Sequence, residues 1–243
     1  SILIIALVIK KLLKNGYTLG FTGKNFFECL KLGWFFPVIL VVQGFMGAYS
    51  LSVLGQLTVT GVVSALFMAA AAGFGEELLY RSVIANNMMR VWNNKKSGIY
   101  AAMFGSSVLF GLYHLSNSMV AGLTPNVLWQ TGYAFALGTL FCAMYLRTKN
   151  LWGCILLHTL VDFVSFLFAQ GSSTTENLKQ ILSGTVDIPH MIFYAAVIIG
   201  SIALSLYLTR SAKHDEIKAN FAGTAAETES EEKVSKKVAA QAA

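Results

Sequence analysis

Long apolar segments separated by short polar loops recur along almost the whole of this 243-residue chain. Hydrophobic residues make up 55% of the sequence and charged residues only 12%, whereas an ordinary soluble domain has about 25% charged residues. An apolar segment of about 20 residues can cross a bilayer as a helix, because a helix pairs its own backbone polar groups. The sequence therefore predicts an all-α polytopic bundle of transmembrane helices joined by short loops.

The apolar runs predict about seven helices. Their ranges are 1–13, 33–54, 59–91, 98–114, 127–146, 151–170 and 189–210. The first is too short to cross a membrane, so we expect that helix to begin upstream of Ser1. The third is too long for one straight crossing, since about 33 residues at a rise of about 1.5 Å would extend about 50 Å. We expect it to break or tilt at Gly73 and Gly75.

Two further regions are predicted from composition. Residues 14–32 mix apolar and charged positions with the spacing of a short helix lying at the membrane surface. Beyond the last apolar run, residues 211–243 are rich in Lys, Glu, Ala, Ser and Thr, which predicts a disordered polar tail. The simplest organisation is one transmembrane domain over 1–210, with its functional core in 60–170.

Lysines and arginines concentrate in every second connection between the predicted helices. The residues are Lys10, Lys11, Lys14, Lys24, Lys31, Arg90, Lys95, Lys96, Arg147, Lys149, Arg210, Lys213 and Lys218. This alternation follows the positive-inside rule for seven crossings and places the C-terminus in the cytoplasm. Because the basic residues are scattered among loops, the net charge of +6 does not indicate a nucleic-acid partner. The lean loops favour a bacterial plasma membrane.

Very few ionisable side chains interrupt the apolar sequence between Gly33 and Gln170. The acidic residues and histidines of that stretch are Glu76, Glu77, His114, His158 and Asp162. An ionisable side chain inside a bilayer costs at least a few kcal/mol, so such residues usually pair, line a wet cavity or react. Three short groups of them in three helices predict a single site inside the membrane.

The first group contains two adjacent glutamates with different surroundings. Glu77 and Arg81 lie one helical turn apart and can neutralise each other. This leaves Glu76 without a local partner, as a general base would be. The alternative is that both glutamates form a structural network with Arg81 that joins helices.

The other two groups contain the histidines. Phe110 precedes His114 by one helical turn, so its ring could line a pocket beside the imidazole. His158 and Asp162 also share one face of a helix, where a carboxylate can orient an imidazole. The alternatives are that His114 is an interfacial residue and that His158 and Asp162 only join helices. The predicted boundaries place His114 near the outer end of its helix and His158 about eight residues from the cytoplasmic end. Convergence therefore requires shifted boundaries or a deep cavity.

The three groups, in this order on separate apolar helices, resemble the three motifs of the CPBP intramembrane proteases. The motifs are Glu76-Glu77-x-x-x-Arg81, Phe110-x-x-x-His114 and His158-x-x-x-Asp162. That family includes the type II CAAX prenyl endopeptidases and the bacterial Abi proteins linked to bacteriocin processing and self-immunity. The resemblance covers roughly residues 60–170.

The resemblance implies hydrolysis of a peptide bond in a membrane-associated peptide or protein. Glu76 would activate water with assistance from His114, while His158 and Asp162 would stabilise the oxyanion. An ionised Asp162 would repel an oxyanion, so we expect this residue to orient His158 or to be protonated. The residues that would support the site are Glu77, Arg81 and Phe110.

The resemblance leaves the catalytic type and the biological role open. Two histidines and a glutamate form several catalytic zinc sites, so a metalloprotease with zinc on Glu76, His114 and His158 is one alternative. These residues lack the compact His-Glu-x-x-His spacing, which favours a glutamate mechanism without a cofactor. A non-proteolytic scaffold or bacteriocin-immunity protein is a second alternative. A proton-coupled carrier is a third, although the inverted repeats expected of carriers are not evident.

Overall fold

The computed structural model describes residues 18–48, 57–93, 95, 97–168, 179, 181–183 and 186–221. All regular secondary structure in these ranges is helical, which confirms the predicted fold class. The main helices are α1 (Phe26–Leu32), α2 (Phe35–Ala48), α3 (Val59–Trp92), α4 (Gly98–His114), α5 (Pro125–Thr148), α6 (Leu151–Leu167), α7 (Ile188–Leu208) and α8 (His214–Ala219). A 3₁₀ turn, Leu115–Asn117, and a short helix, Ser118–Ala121, extend α4, and another 3₁₀ turn, Ser211–Lys213, precedes α8.

Four helices in the described ranges are long and apolar enough to cross a membrane: α3, α4 with its extension, α5 and α7. Helices α1 and α2 form an apolar pair bent by 61°, and α6 is a shorter apolar helix of 17 residues. The predicted helix 1–13 lies outside the described residues. Each of the other six predicted segments contains a helix, so the spacing of the apolar runs located the elements correctly.

Helix α3 does not break at Gly73 and Gly75, so of the two expected alternatives, a break or a tilt, the break is wrong. Its 34 residues form one continuous helix, which at about 50 Å must tilt or extend beyond a hydrocarbon core of about 30 Å. The irregularity comes one turn later, where Leu78–Ala85 forms a π-helix. Gly73 serves packing instead, because a Cβ there would lie 2.7 Å from Oγ1 of Thr159 on α6.

Helix α6 lies between α2 and α3. It runs parallel to α2, since Leu157 lies against Gly33 near the start of that element and Phe168 lies against Gly47 near its end. Asn150 fixes the beginning of α6: its side chain accepts a hydrogen bond from the Gly153 amide at 2.8 Å. Because α3 packs on the opposite side through Gly73, the ionisable residues of both helices face the same interior.

Helix α5 is the centre of the bundle. Every residue from Ala136 to Leu146 is buried, as expected of a helix with neighbours on all sides. Helix α4 packs against it through Gly111, where a Cβ would meet the backbone of Thr131 at 3.0 Å. On another side α7 approaches closely enough for the Ser205 and Thr139 hydroxyls to hydrogen-bond at 3.0 Å.

The start of the predicted disordered tail is ordered, which corrects the expectation for residues 211–221. Ile217 and Phe221 are buried, and the Asn220 side chain donates to the backbone oxygens of Leu146 and Arg147 at 3.1 and 3.0 Å. The polar composition of the whole tail concealed two apolar side chains four residues apart, which is the spacing of one helical face. Residues 222–243 lie outside the described part of the chain.

Candidate active site

Glu77 and Arg81 form the buried ion pair that their spacing predicts. Their charged atoms, Oε2 and Nε, lie 3.1 Å apart, and both side chains are at most 1% exposed. The Arg81 guanidinium also donates to the Gly138 carbonyl at 3.3 Å. Its carbon atom lies 4.5 Å from the centre of the Phe110 ring and 5.3 Å from that of Phe141. The cation is therefore held by a carboxylate, a carbonyl and two aromatic faces.

His158 is oriented by Glu77 and not by Asp162. Its Nδ1 lies 2.8 Å from Oε1 of Glu77, and since an ionised carboxylate only accepts, Nδ1 carries the donated proton. The ring stacks on Phe141, with centroids 5.1 Å apart and planes at 20°. Asp162 reaches only the other nitrogen, Nε2, at 3.6 Å. Of the two expectations for Asp162, the contacts speak against its orienting this imidazole, because the stacked ring turns Nδ1 toward α3; its being protonated stays a prediction.

Nε2 of His158 faces the two remaining carboxylates. It lies 3.6 Å from Oε2 of Glu76 and 3.6 Å from Oδ2 of Asp162, distances too long for a direct hydrogen bond. The Glu76 and Asp162 side chains are 20% and 27% exposed. A water molecule or a substrate atom can bridge polar groups at such separations.

His114 joins the same site through Phe110. Its Nδ1 lies 2.9 Å from the Phe110 backbone oxygen, so Nδ1 is the donor and, in the neutral ring, Nε2 keeps its lone pair. The Phe110 ring lies edge-on to both imidazoles, with centroid distances of 4.8 Å to His114 and 5.9 Å to His158. All three side chains line one cavity of about 400 Å³, together with Asp162.

The predicted boundaries placed His114 and His158 at different levels of the bundle, whereas the structure places both beside Phe110. The helical path of α4 continues to Ala121, so His114 is not at its outer end. Helix α6 has 17 residues, and His158, the eighth, lies near its middle. The two histidines, on α4 and α6, therefore lie at the same level of the bundle.

Sequence reasoning missed the contribution of α5. Phe141 stacks on His158 and contacts Arg81, and the Gly138 carbonyl accepts from Arg81. Gly138 also leaves room for Phe110, because a Cβ there would lie 2.9 Å from that ring. One glycine and one phenylalanine in a uniformly apolar helix carry no signal that separates them from ordinary core residues.

The zinc alternative would use Glu76, His114 and His158 as ligands. Within the described ranges, no group of three or more His, Cys, Asp or Glu side chains has the geometry to hold a metal ion. His158 uses Nδ1 to bind Glu77, and His114 uses Nδ1 to bind a backbone carbonyl. Only one nitrogen of each imidazole is left, and the Phe110 ring contacts both imidazoles.

Part of the chain matches a known protein family. Residues 58–164 match the family model described as type II CAAX prenyl endopeptidase Rce1-like. The matched range contains all three motif groups and the helices α3 to α5 with most of α6. No curated protein and no solved structure matches the chain significantly.

Proposed function

The match over residues 58–164 supports the CAAX-type intramembrane protease family for this integral membrane protein, and on that premise we propose a glutamate-dependent peptidase. Its substrate is a peptide bond of a membrane-associated peptide or protein, and the attacking water is activated by Glu76. The observation that carries this assignment is the difference in contacts between the two adjacent glutamates. Glu77 is bound to both Arg81 and His158, whereas Glu76 keeps a partly exposed carboxylate beside Nε2 of His158.

The first step is addition of water to the peptide carbonyl. The Glu76 carboxylate takes one proton from water while the water oxygen bonds to the carbonyl carbon. His114 can accept a hydrogen bond from the same water through the Nε2 lone pair that its contact with Phe110 leaves free. A tetrahedral intermediate with a negatively charged oxygen results.

The second step is stabilisation and collapse of that intermediate. As an imidazolium among carboxylates, His158 donates from Nε2 to the oxyanion, and its hydrogen bond to Glu77 keeps the ring in place. The proton held by Glu76 passes to the leaving nitrogen as the C–N bond breaks. One water is consumed, and a carboxylic acid and an amine are formed. No cofactor takes part.

Asp162 has a secondary role in this proposal. Its oxygen lies 3.6 Å from Nε2 of His158, close enough to favour the imidazolium but not bonded to the nitrogen that fixes the ring. Phe110 and Phe141 contact the His158 imidazole and the Arg81 guanidinium, so their rings reduce the access of water to these groups.

The biological setting is proposed from the sequence. The lean loops and their Lys and Arg pattern favour a bacterial plasma membrane with the C-terminus in the cytoplasm. In that setting the substrate is a membrane-bound peptide precursor rather than a prenylated protein. Processing of a bacteriocin-like peptide, as in Abi proteins, is one such role.

A cleavage assay on the purified protein in lipid tests the activity. Replacement of Glu76 by Gln should lower the rate of peptide cleavage by about 10²–10⁴-fold, the usual contribution of a positioned general base. Glu28→Gln, on an exposed part of α1, is the control and should leave the rate unchanged. Full activity of the Glu76 variant would refute the mechanism.

Two further arms of this assay separate the alternatives. A chelator should have no effect on the rate of peptide cleavage. If a chelator abolished cleavage and added Zn²⁺ restored it, the result would favour a metalloprotease. A protein that never cleaves, but whose Glu76→Gln variant keeps the cellular phenotype, would be a scaffold.

A further inference from the structure

The cavity next to the site is built from the ends of helices at one end of the bundle. Asn126 and Gln130 lie in the first two turns of α5, His190 lies in the first turn of α7, and Ser165 lies in the last turn of α6. Helix α5 runs parallel to α7, since Trp129 contacts Tyr194 near the start of both helices and Arg147 donates to the Leu208 carbonyl at their ends. Helix α4 runs antiparallel to α5, and α6 starts where α5 ends. These four polar residues therefore share one end, and the cavity leads from that end down to His158.

The basic loops lie at the opposite end. Arg147, at the other terminus of α5, pairs with Glu216 at 2.9 Å and donates to the Leu208 carbonyl at the end of α7. The loop after α3 joins them there, since Asn93 donates to the Lys218 carbonyl at 3.3 Å. Under the positive-inside rule, the end that collects these lysines and arginines is the cytoplasmic end.

We propose that the substrate reaches the site from the extracytoplasmic face of the membrane, through the cavity mouth formed by Asn126, Gln130 and His190. This inference rests on the proposed peptidase function and adds the side of the membrane from which the substrate enters the site. A segment of a peptide already translocated across, or anchored in, the outer leaflet is the substrate that fits this route.

The walls of the cavity suit an extended peptide. A peptide that enters a bilayer needs hydrogen-bond partners for its backbone N–H and C=O groups. Gln43 on α2 donates to Ser165 through Nε2, while its buried Oε1 has no hydrogen-bond partner among the described residues. The stacked rings of Tyr133 and Tyr194, 5.2 Å apart, supply an apolar surface beside it. A volume of about 400 Å³ admits a short segment and not a folded domain.

Cysteine labelling tests the route without any need for activity. His190→Cys places a thiol at the cavity mouth, and Lys95→Cys places one in the exposed loop at the other end. The native cysteines, Cys29, Cys142 and Cys154, are buried and give little background. A membrane-impermeant maleimide added to intact cells should label the His190 variant, and the Lys95 variant only after permeabilisation. The reverse pattern would overturn the proposal.

A second measurement links the route to cleavage. Right-side-out membrane vesicles should cleave an added impermeant peptide substrate at least about tenfold faster than inverted vesicles. Maleimide on the His190 variant should abolish this cleavage, while the labelled Lys95 variant keeps it. Faster cleavage by inverted vesicles refutes the route and leaves the peptidase intact. Cleavage by neither preparation, with the expected labelling, refutes the peptidase and leaves the orientation intact.

Discussion

The Glu77–Arg81 pair makes a strong quantitative prediction, because both charges are almost completely removed from solvent. Replacement of Arg81 by Met leaves the Glu77 charge without its cation, and Glu77→Gln leaves the guanidinium without its anion. Breaking a buried pair in this way costs about 3–5 kcal/mol of folding free energy. At about 1.4 kcal/mol for each factor of ten, either variant should lower the ratio of folded to unfolded protein by roughly three powers of ten.

The double variant distinguishes a coupled pair from two independent contacts. When Glu77→Gln and Arg81→Met are combined, no unpaired charge remains, so the total loss should be at least about 2 kcal/mol smaller than the sum of the single losses. The measurement is unfolding of the purified protein by SDS titration in mixed micelles. Glu216→Gln removes an ion pair whose carboxylate is 45% exposed and should cost less than about 1 kcal/mol. Additive losses in the double variant would refute the coupling.

Three further predictions address packing, pH and the role of Asp162. Gly73→Val should destabilise the protein by about 1–3 kcal/mol in the same unfolding assay, because its Cβ would lie 2.7 Å from Thr159. The control is Gly75→Ala, which has open space around it and should be neutral or slightly stabilising. Burial lowers the pKa of Lys149, in the loop between α5 and α6, from 10.5 to about 7. The unfolded chain therefore keeps this proton up to a higher pH than the folded chain does. The free energy of unfolding should rise from pH 7 to pH 10, and it should rise less in the Lys149→Met variant. Asp162→Asn should keep the rate of peptide cleavage within about tenfold, since Glu77 fixes the imidazole; a loss as large as that of Glu76→Gln would assign Asp162 a direct part in the chemistry.

The sequence predicted the elements of this fold well because a bilayer leaves few choices. Apolar runs must become helices there, and six of the seven predicted segments contain one. The residues of the three motif groups could also be identified, since ionisable side chains are rare in such segments. Their convergence around His158 follows from helix packing, which small residues such as Gly73 and Gly138 permit.

The missed features depend on rotation and distance between helices, which periodicity does not encode. Spacing alone gave His158 a partner on its own helix, Asp162, but the closer carboxylate belongs to α3. Average composition concealed Ile217 and Phe221, whose burial orders the segment after α7. The family match supports a protease in general, while the choice between the glutamates comes from their contacts.

The π-helix after the glutamates sets an angular offset between the two halves of α3. Beyond Glu77, Ser82 and Asn86 donate to the backbone oxygens of Leu19 and Thr18 at 2.7 and 3.1 Å. These bonds fix the rotation of the C-terminal half of α3. If Leu78–Ala85 became a regular α-helix of the same length, one half of α3 would turn relative to the other, because an α-helix turns further per residue than the wider π-helix does. Either the bonds to the preceding loop or the orientation of both glutamates would then be lost, so the π-helical geometry of this segment is as constrained as the identity of its charged residues.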